Sequence, residues 1–81
     1  MPKYRSLIAV GEKIRKLRKD KGFTQEAFAD HAGLDRSYYG AVERGERNVA
    51  TLNLLKIAHA LEVQVGELFP FLEFRRKKQK A

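Results

Sequence analysis

The stretch Thr24–Arg44, TQEAFADHAGLDRSYYGAVER, decides how this chain folds. It reads as two short helices joined by a tight turn. Thr24 is expected to cap the first helix, because its hydroxyl can accept from backbone N–H groups that have no partner inside the helix. Phe28, Ala29 and Ala32 give that helix an apolar edge. Gly33 stops it, since glycine enters the left-handed region without a Cβ clash. Asp35 stands where it can cap the second helix. Leu34, Tyr39 and Val42 are placed to turn inward, and Gly45 closes the unit. Arg36, Ser37, Gly40, Ala41 and Arg44 remain on or near the outer side, with Tyr38 on the opposite flank.

That outer side carries small and hydrogen-bonding residues where an ordinary surface helix would carry Lys/Glu pairs. A helix that lies in a DNA major groove needs short or flat side chains, with an Arg or two to reach bases or phosphates. The plainer alternative is an αα-hairpin serving a small helical core. The pattern alone leaves both open.

The segment resembles the helix-turn-helix of the XRE/Cro-like family of phage and bacterial repressors. The matching residues are Thr24-Gln25-Glu26, Phe28-Ala29, Ala32-Gly33-Leu34 and Val42-Glu43-Arg44-Gly45. Downstream, Thr51-Leu52, Leu55-Lys56-Ile57-Ala58, Ala60-Leu61 and Glu67-Leu68-Phe69 continue the match, which runs from about Ile8 to Phe69. Within the family, Leu34-Asp35-Arg36-Ser37-Tyr38, Glu43-Arg44 and Arg47-Asn48 are most similar to controller proteins of restriction–modification systems. The resemblance implies an all-α, compact five-helix, phage-repressor-like DNA-binding domain. Two residues depart from the pattern. Tyr39 stands where the family usually has an aliphatic residue, and Gly40 sits in mid-helix, where it costs about 1 kcal/mol relative to Ala.

Residue by residue, the resemblance implies an interface. Arg36 can fork onto guanine O6/N7, with a sequence-blind phosphate clamp as its alternative. Ser37, Tyr38 and Ala41 join it as expected base contacts, and Gly40 would let the backbone approach the duplex. Gln25, in the first turn of its helix, is expected on a phosphate, helped by the partial positive charge of the helix N-terminus. Arg44, Arg47, Asn48 and Thr51 surround the loop with which the family grips the DNA backbone. Glu43 leans inward, where an isolated carboxylate is costly. The family commonly places an Arg late in helix 1 against it, and Arg18 matches that position. An Arg18–Glu43 ion pair is therefore expected to tie helix 1 to the outward-facing helix, fixing orientation more than adding stability.

Composition sets the outer limits. Eighty-one residues allow one domain and one modest core. There is no cysteine, so neither a disulfide framework nor a thiolate metal site is available. No apolar run approaches the roughly 20 residues that span a bilayer, and the opening MPKYRSLIAVGEK is too short in apolar residues for a signal peptide. A cytoplasmic location is consistent with this. The net charge is +7, distributed as +6 over residues 1–21, −4 over 22–74 and +5 over 75–81. Basic flanks thus enclose a mildly acidic centre, and attraction to phosphate would come mainly from the flanks. The basic end could equally be a solvated tail.

Along the chain, residues 1–6 are expected to be a flexible leader, 7–74 the folded DNA-binding and dimerisation domain, and 75–81 a basic tail. Helix 1 should run from Leu7 or Ala9 to Lys21, with Val10, Ile14 and Leu17 inward and Arg18 flanking that stripe. Gly22 ends it, and Phe23 plugs the core beneath the turn. Thr51 should cap a helix from Leu52 to Leu61. Its Leu52, Leu55, Ala58 and Leu61 form one stripe, which Leu54 and Ile57 widen beyond what one contact needs. A short fifth helix, Val65 to Phe69, should end before Pro70. Phe71, Leu72 and Phe74 are too apolar for a solvated tail. Leu52, Leu55, Phe69, Phe71 and Phe74 are the expected dimer seam.

His31 and His59 have no recognised ligand spacing and read as rim histidines rather than metal ligands. There is no Gly-rich phosphate loop, no HExxH and no nucleophile with an obvious base, so an enzyme is not expected and no cofactor is implied. The reading is a homodimeric, sequence-specific regulator on a pseudo-palindromic operator, controlling a restriction–modification operon that includes its own gene. Double-stranded DNA, a second copy and RNA polymerase are the expected partners, and no membrane is. A phage-type repressor, or an antitoxin that binds a toxin protein, are the alternatives. A membrane-surface role for the Phe71–Lys80 end is a more remote one.

Overall fold

The computed structural model describes residues 4–70. They form four α-helices, α1 (Arg5–Asp20), α2 (Gln25–Ala32), α3 (Arg36–Glu43) and α4 (Thr51–Leu61), followed by a single 3₁₀ turn, Val65–Leu68. The fold class is all-α, with four helices and a 3₁₀ turn rather than five helices. The expected leader residues 1–3, the Phe71–Phe74 part of the dimer seam and the basic tail at 75–81 lie outside the described residues.

The helix stops are built where their residues permit. The Thr24 hydroxyl accepts from the Ala27 N–H at 3.1 Å, and the Asp35 carboxylate accepts from the Tyr38 N–H at 2.9 Å. Gly22, Gly33 and Gly45 end α1, α2 and α3 with φ of 85°, 74° and 76°, a region closed to most side chains. α1 and α3 lie against each other, and α2 bridges α3 to α4. Between them Ile14, Phe28, Tyr39, Val42, Ile57, Leu61 and Leu68 are sealed from solvent. Phe28 packs between Phe23 and Tyr39, with ring centroids 5.3 and 5.2 Å away. Phe23 itself is half-buried and stacks on His31.

Four sequence expectations are corrected. α1 begins at Arg5, earlier than Leu7, because its first turn is docked: a Cβ on Gly45 would lie 2.6 Å from the Ile8 Cα. Thr51 is not a cap. Ala50 is the extended residue that enters α4, so the threonine hydroxyl comes one position too late to accept from the first turn. The buried stripe of α4 is Ile57, Ala58, Ala60 and Leu61, while Leu52 and Leu55 face outward at 64% and 47% exposure. The last helical piece is one 3₁₀ turn ending at Leu68. Phe69 is already extended, as a residue before proline should be.

Candidate nucleic-acid interface

α3 presents two unlike sides. At about 100° per residue, Ser37, Ala41 and Arg44 share one side, with Arg36 at its edge. Arg36, Ser37 and Arg44 are exposed and Ala41 is half-buried. The opposite side holds Tyr39, Val42 and Glu43, all buried.

Glu43 anchors that inner side. Arg18 donates Nε to Glu43 Oε2 at 2.7 Å and Nη2 to Oε1 at 3.1 Å, a two-pronged pair with both side chains under one-tenth exposed. The remaining Arg18 Nη1 donates to the Phe23 carbonyl at 2.8 Å, so one guanidinium fastens α1, the α1–α2 turn and α3. The Tyr39 hydroxyl donates to Glu43 Oε2, and Gln25 Nε2 donates to Oε1 at 3.0 Å. Burial works against a charge on Glu43, but the hydrogen bonds from Arg18, Tyr39 and Gln25 outweigh it and hold its pKa below the ordinary carboxylate range. Burial, with Glu43 beside it, pushes the Tyr39 hydroxyl well above the usual tyrosine range, and the hydrogen bond to Glu43 raises Arg18 against its burial. Among the described residues no buried side-chain nitrogen or oxygen lacks a partner.

Both departures from the family pattern find their reason in this network. Tyr39 fills the core as an aliphatic residue would, and its hydroxyl adds a third donor to Glu43. Gly40 is buried rather than open to a groove. A Cβ there would lie 3.2 Å from Arg44 Nη1 and 3.3 Å from Gln25 Oε1. The glycine therefore makes room for two of the protein's own polar side chains.

Two further expected contact residues have partners within the protein. The Gln25 amide is turned onto Glu43. Tyr38 lies on the flank toward α4. Its hydroxyl accepts from Asn53 Nδ2 at 3.0 Å, and the Arg47 guanidinium sits 5.4 Å above its ring. Tyr38 thus braces the loop between α3 and α4 and sets the place of Arg47. Arg44 donates Nε to Glu46 at 3.1 Å, and Arg36 donates Nη1 to Glu26 at 2.8 Å, both at the surface. Asn48 and Thr51 are exposed on the same loop and helix start.

One residue was passed over in the sequence. Arg15 lines a cleft of about 430 Å³ together with Ile8, Glu12, Arg18, Gln25, Glu43 and Arg44. The cue was its position three residues before Arg18, which puts both on one flank of α1. Among the described residues no group of three or more His, Cys, Asp or Glu could hold a metal. No helix there is long and apolar enough to cross a membrane.

Comparison with known proteins agrees with this geometry. The helix-turn-helix family model HTH_3 matches residues 14–68. Control protein C.MunI of a Mycoplasma species is 46% identical over 67 residues, covering 82% of this chain and 90% of the relative. Control protein C.BamHI of Bacillus amyloliquefaciens is 39% identical over 74 residues, covering 90% and 91%. The crystal structure of the restriction–modification controller protein C.AhdI from Aeromonas hydrophila superposes with a TM-score of 0.79 at 52% identity, covering 82% of this chain and all of that one. The chain belongs to the helix-turn-helix family of XRE-like transcriptional regulators, a DNA-binding and non-enzymatic family, and within it is of the restriction–modification controller type.

Proposed function

We propose that the protein binds a pseudo-palindromic operator as a homodimer and thereby regulates a restriction–modification operon that includes its own gene. The observation that carries this reading is the division of α3. Its inner side is fastened by the buried Arg18–Glu43–Tyr39 network, and its outer side offers Arg36, Ser37 and Ala41 with nothing bulky between them. Those three are the base-reading set. Arg44, Arg47, Asn48 and Thr51, the N-terminus of α2 and Arg15 lie around it as phosphate contacts. The +7 charge supplies the salt-dependent attraction.

Dimerisation rests on α4 and the turn after it. Leu52, Leu55 and Phe69 are exposed large apolar side chains, at 64%, 47% and 43%, on α4 and just past the turn that packs on it. Two protomers joined there would read half-sites about one helical turn apart. RNA polymerase is the partner through which an occupied operator would act on transcription, and a cytoplasmic location follows from the target.

Selection of bound sequences from random duplexes tests this directly. A two-fold symmetric site should emerge. On it Arg36→Ala should cost about 1–3 kcal/mol and relax preference at one base pair per half-site. Arg47→Ala should weaken binding to all sequences alike and lower the salt slope by about one. Recovery of no preferred sequence, or equal loss on operator and random duplex for Arg36→Ala, overturns the base-reading role.

A further inference from the structure

Glu26 contacts Arg36 at the edge of the outer side of α3, and that contact bears on how DNA sequence is told apart. Its carboxylate accepts from Arg36 Nη1 at 2.8 Å, joining the first turn of α2 to the first residue of α3. The two side chains are 70% and 65% exposed, and a pair so open to water contributes little to stability. A carboxylate beside a phosphate-binding surface also works against DNA affinity. The first turn of α2 favours an acid through the helix dipole; the contact with Arg36 gives this one a second role, which neither the dipole nor general attraction to DNA supplies.

Arg36 has two fates in a complex. It can fork onto a guanine edge, or it can swing to a phosphate, which carries no sequence information. A long, exposed guanidinium takes the phosphate wherever it is free to do so. Glu26 occupies one of its five donors and leaves four for the groove. As the duplex expels water, the Glu26–Arg36 attraction grows, because the effective dielectric falls. A restraint of this kind penalises the wrong complex as well as favouring the right one.

We propose that Glu26 is a positioning residue that sets sequence discrimination, by keeping Arg36 on the base edges and away from the phosphates. The inference rests on the DNA-reading function given above. It is tested with Glu26→Gln in the full chain, in native and Arg36→Ala backgrounds, on the selected operator and on random duplex across a salt series. In the native background the operator-to-random affinity ratio should fall about fivefold or more. Random-duplex affinity should rise, and its salt slope should steepen by about one, as Arg36 takes a phosphate. Preference should flatten at the base pair that Arg36 reads. In the Arg36→Ala background the ratio should stay put, because only a general charge effect is left. The melting temperature should hardly move, as expected for an exposed substitution. An unchanged ratio in the native background, or the same fall in both backgrounds, overturns the role of Glu26 while leaving the DNA-reading function in place. A native protein that selects no sequence at all removes both.

Discussion

Replacing Arg18 by Met would leave Glu43 as a buried carboxylate with only Tyr39 and Gln25 as donors. Removing one partner of a buried pair costs about 3–5 kcal/mol. A chain of 81 residues has roughly 4–12 kcal/mol of total stability at about 0.05–0.15 kcal/mol per residue, so Arg18→Met brings the domain near its folding threshold. Glu43→Leu should cost a similar amount, because it strands Arg18. The double variant Arg18→Met/Glu43→Leu removes both charges and keeps the volume apolar. What it leaves is the Tyr39 hydroxyl, the Gln25 amide and the Phe23 carbonyl without these partners, each a neutral group whose penalty is about 1–3 kcal/mol where water cannot reach it. The double variant should therefore cost clearly less than the two single changes added together. Adding Tyr39→Phe should recover about 1 kcal/mol more, since a phenylalanine leaves no hydroxyl to satisfy. Urea unfolding followed by helical circular dichroism reads all four variants, with the slope checked for constancy. If the double variant costs as much as the two single changes added together, the two residues are not coupled and α3 is held by something else. Operator binding should be weaker in the double variant than its stability implies, because α3 then lacks its orienting tie to α1.

The same carboxylate predicts a pH response. Glu43 has its pKa lowered on folding, so its contribution is fully present above the ordinary value of about 4.5 and disappears as pH falls through the folded-state pKa. Acid titration of stability should show this loss, and Glu43→Gln should flatten it below pH about 4.5. Two glycine substitutions separate space from backbone conformation. A Cβ on Gly11 would meet the Val42 carbonyl oxygen at 2.5 Å, and backbone cannot step aside, so Gly11→Ala should cost about 3 kcal/mol or more in thermal unfolding. Gly33 has open space at φ 74°, so Gly33→Ala should cost only about 1 kcal/mol; equal losses at the two sites contradict the close α1–α3 approach. Finally, Leu52→Glu/Leu55→Glu should leave helical content intact, since both side chains are exposed, yet yield monomers in analytical ultracentrifugation. A dimer that survives would move the seam elsewhere.

The helix-turn-helix was legible in the residues because its signals are local. Thr24, Asp35, Gly22, Gly33 and Gly45 each act through their own backbone preference or a hydroxyl or carboxylate reaching three residues along, and the chain carries those facts wherever it folds. The end of α4 lacked such a signal: Glu62 takes φ 61° with no glycine to announce it. Period alone also misplaced the α4 stripe, since a helix rich in apolar residues offers several stripes and only its neighbours choose one.

The Arg18–Glu43 pairing could be anticipated from a resemblance, because a carboxylate on an inward side needs a cation. The partners of the polar residues could not. Gln25 turned to Glu43, Tyr38 to Asn53 and Arg47, and Arg36 to Glu26. A long side chain reaches several partners within a few ångströms, and which it takes depends on distances between elements that exist only after packing. Sequence by itself determined where α1, α2 and α3 stop and which of them is proposed to meet DNA. Tertiary structure alone decided which atoms on that surface are already engaged, because a hydrogen bond is set by relative position to within tenths of an ångström.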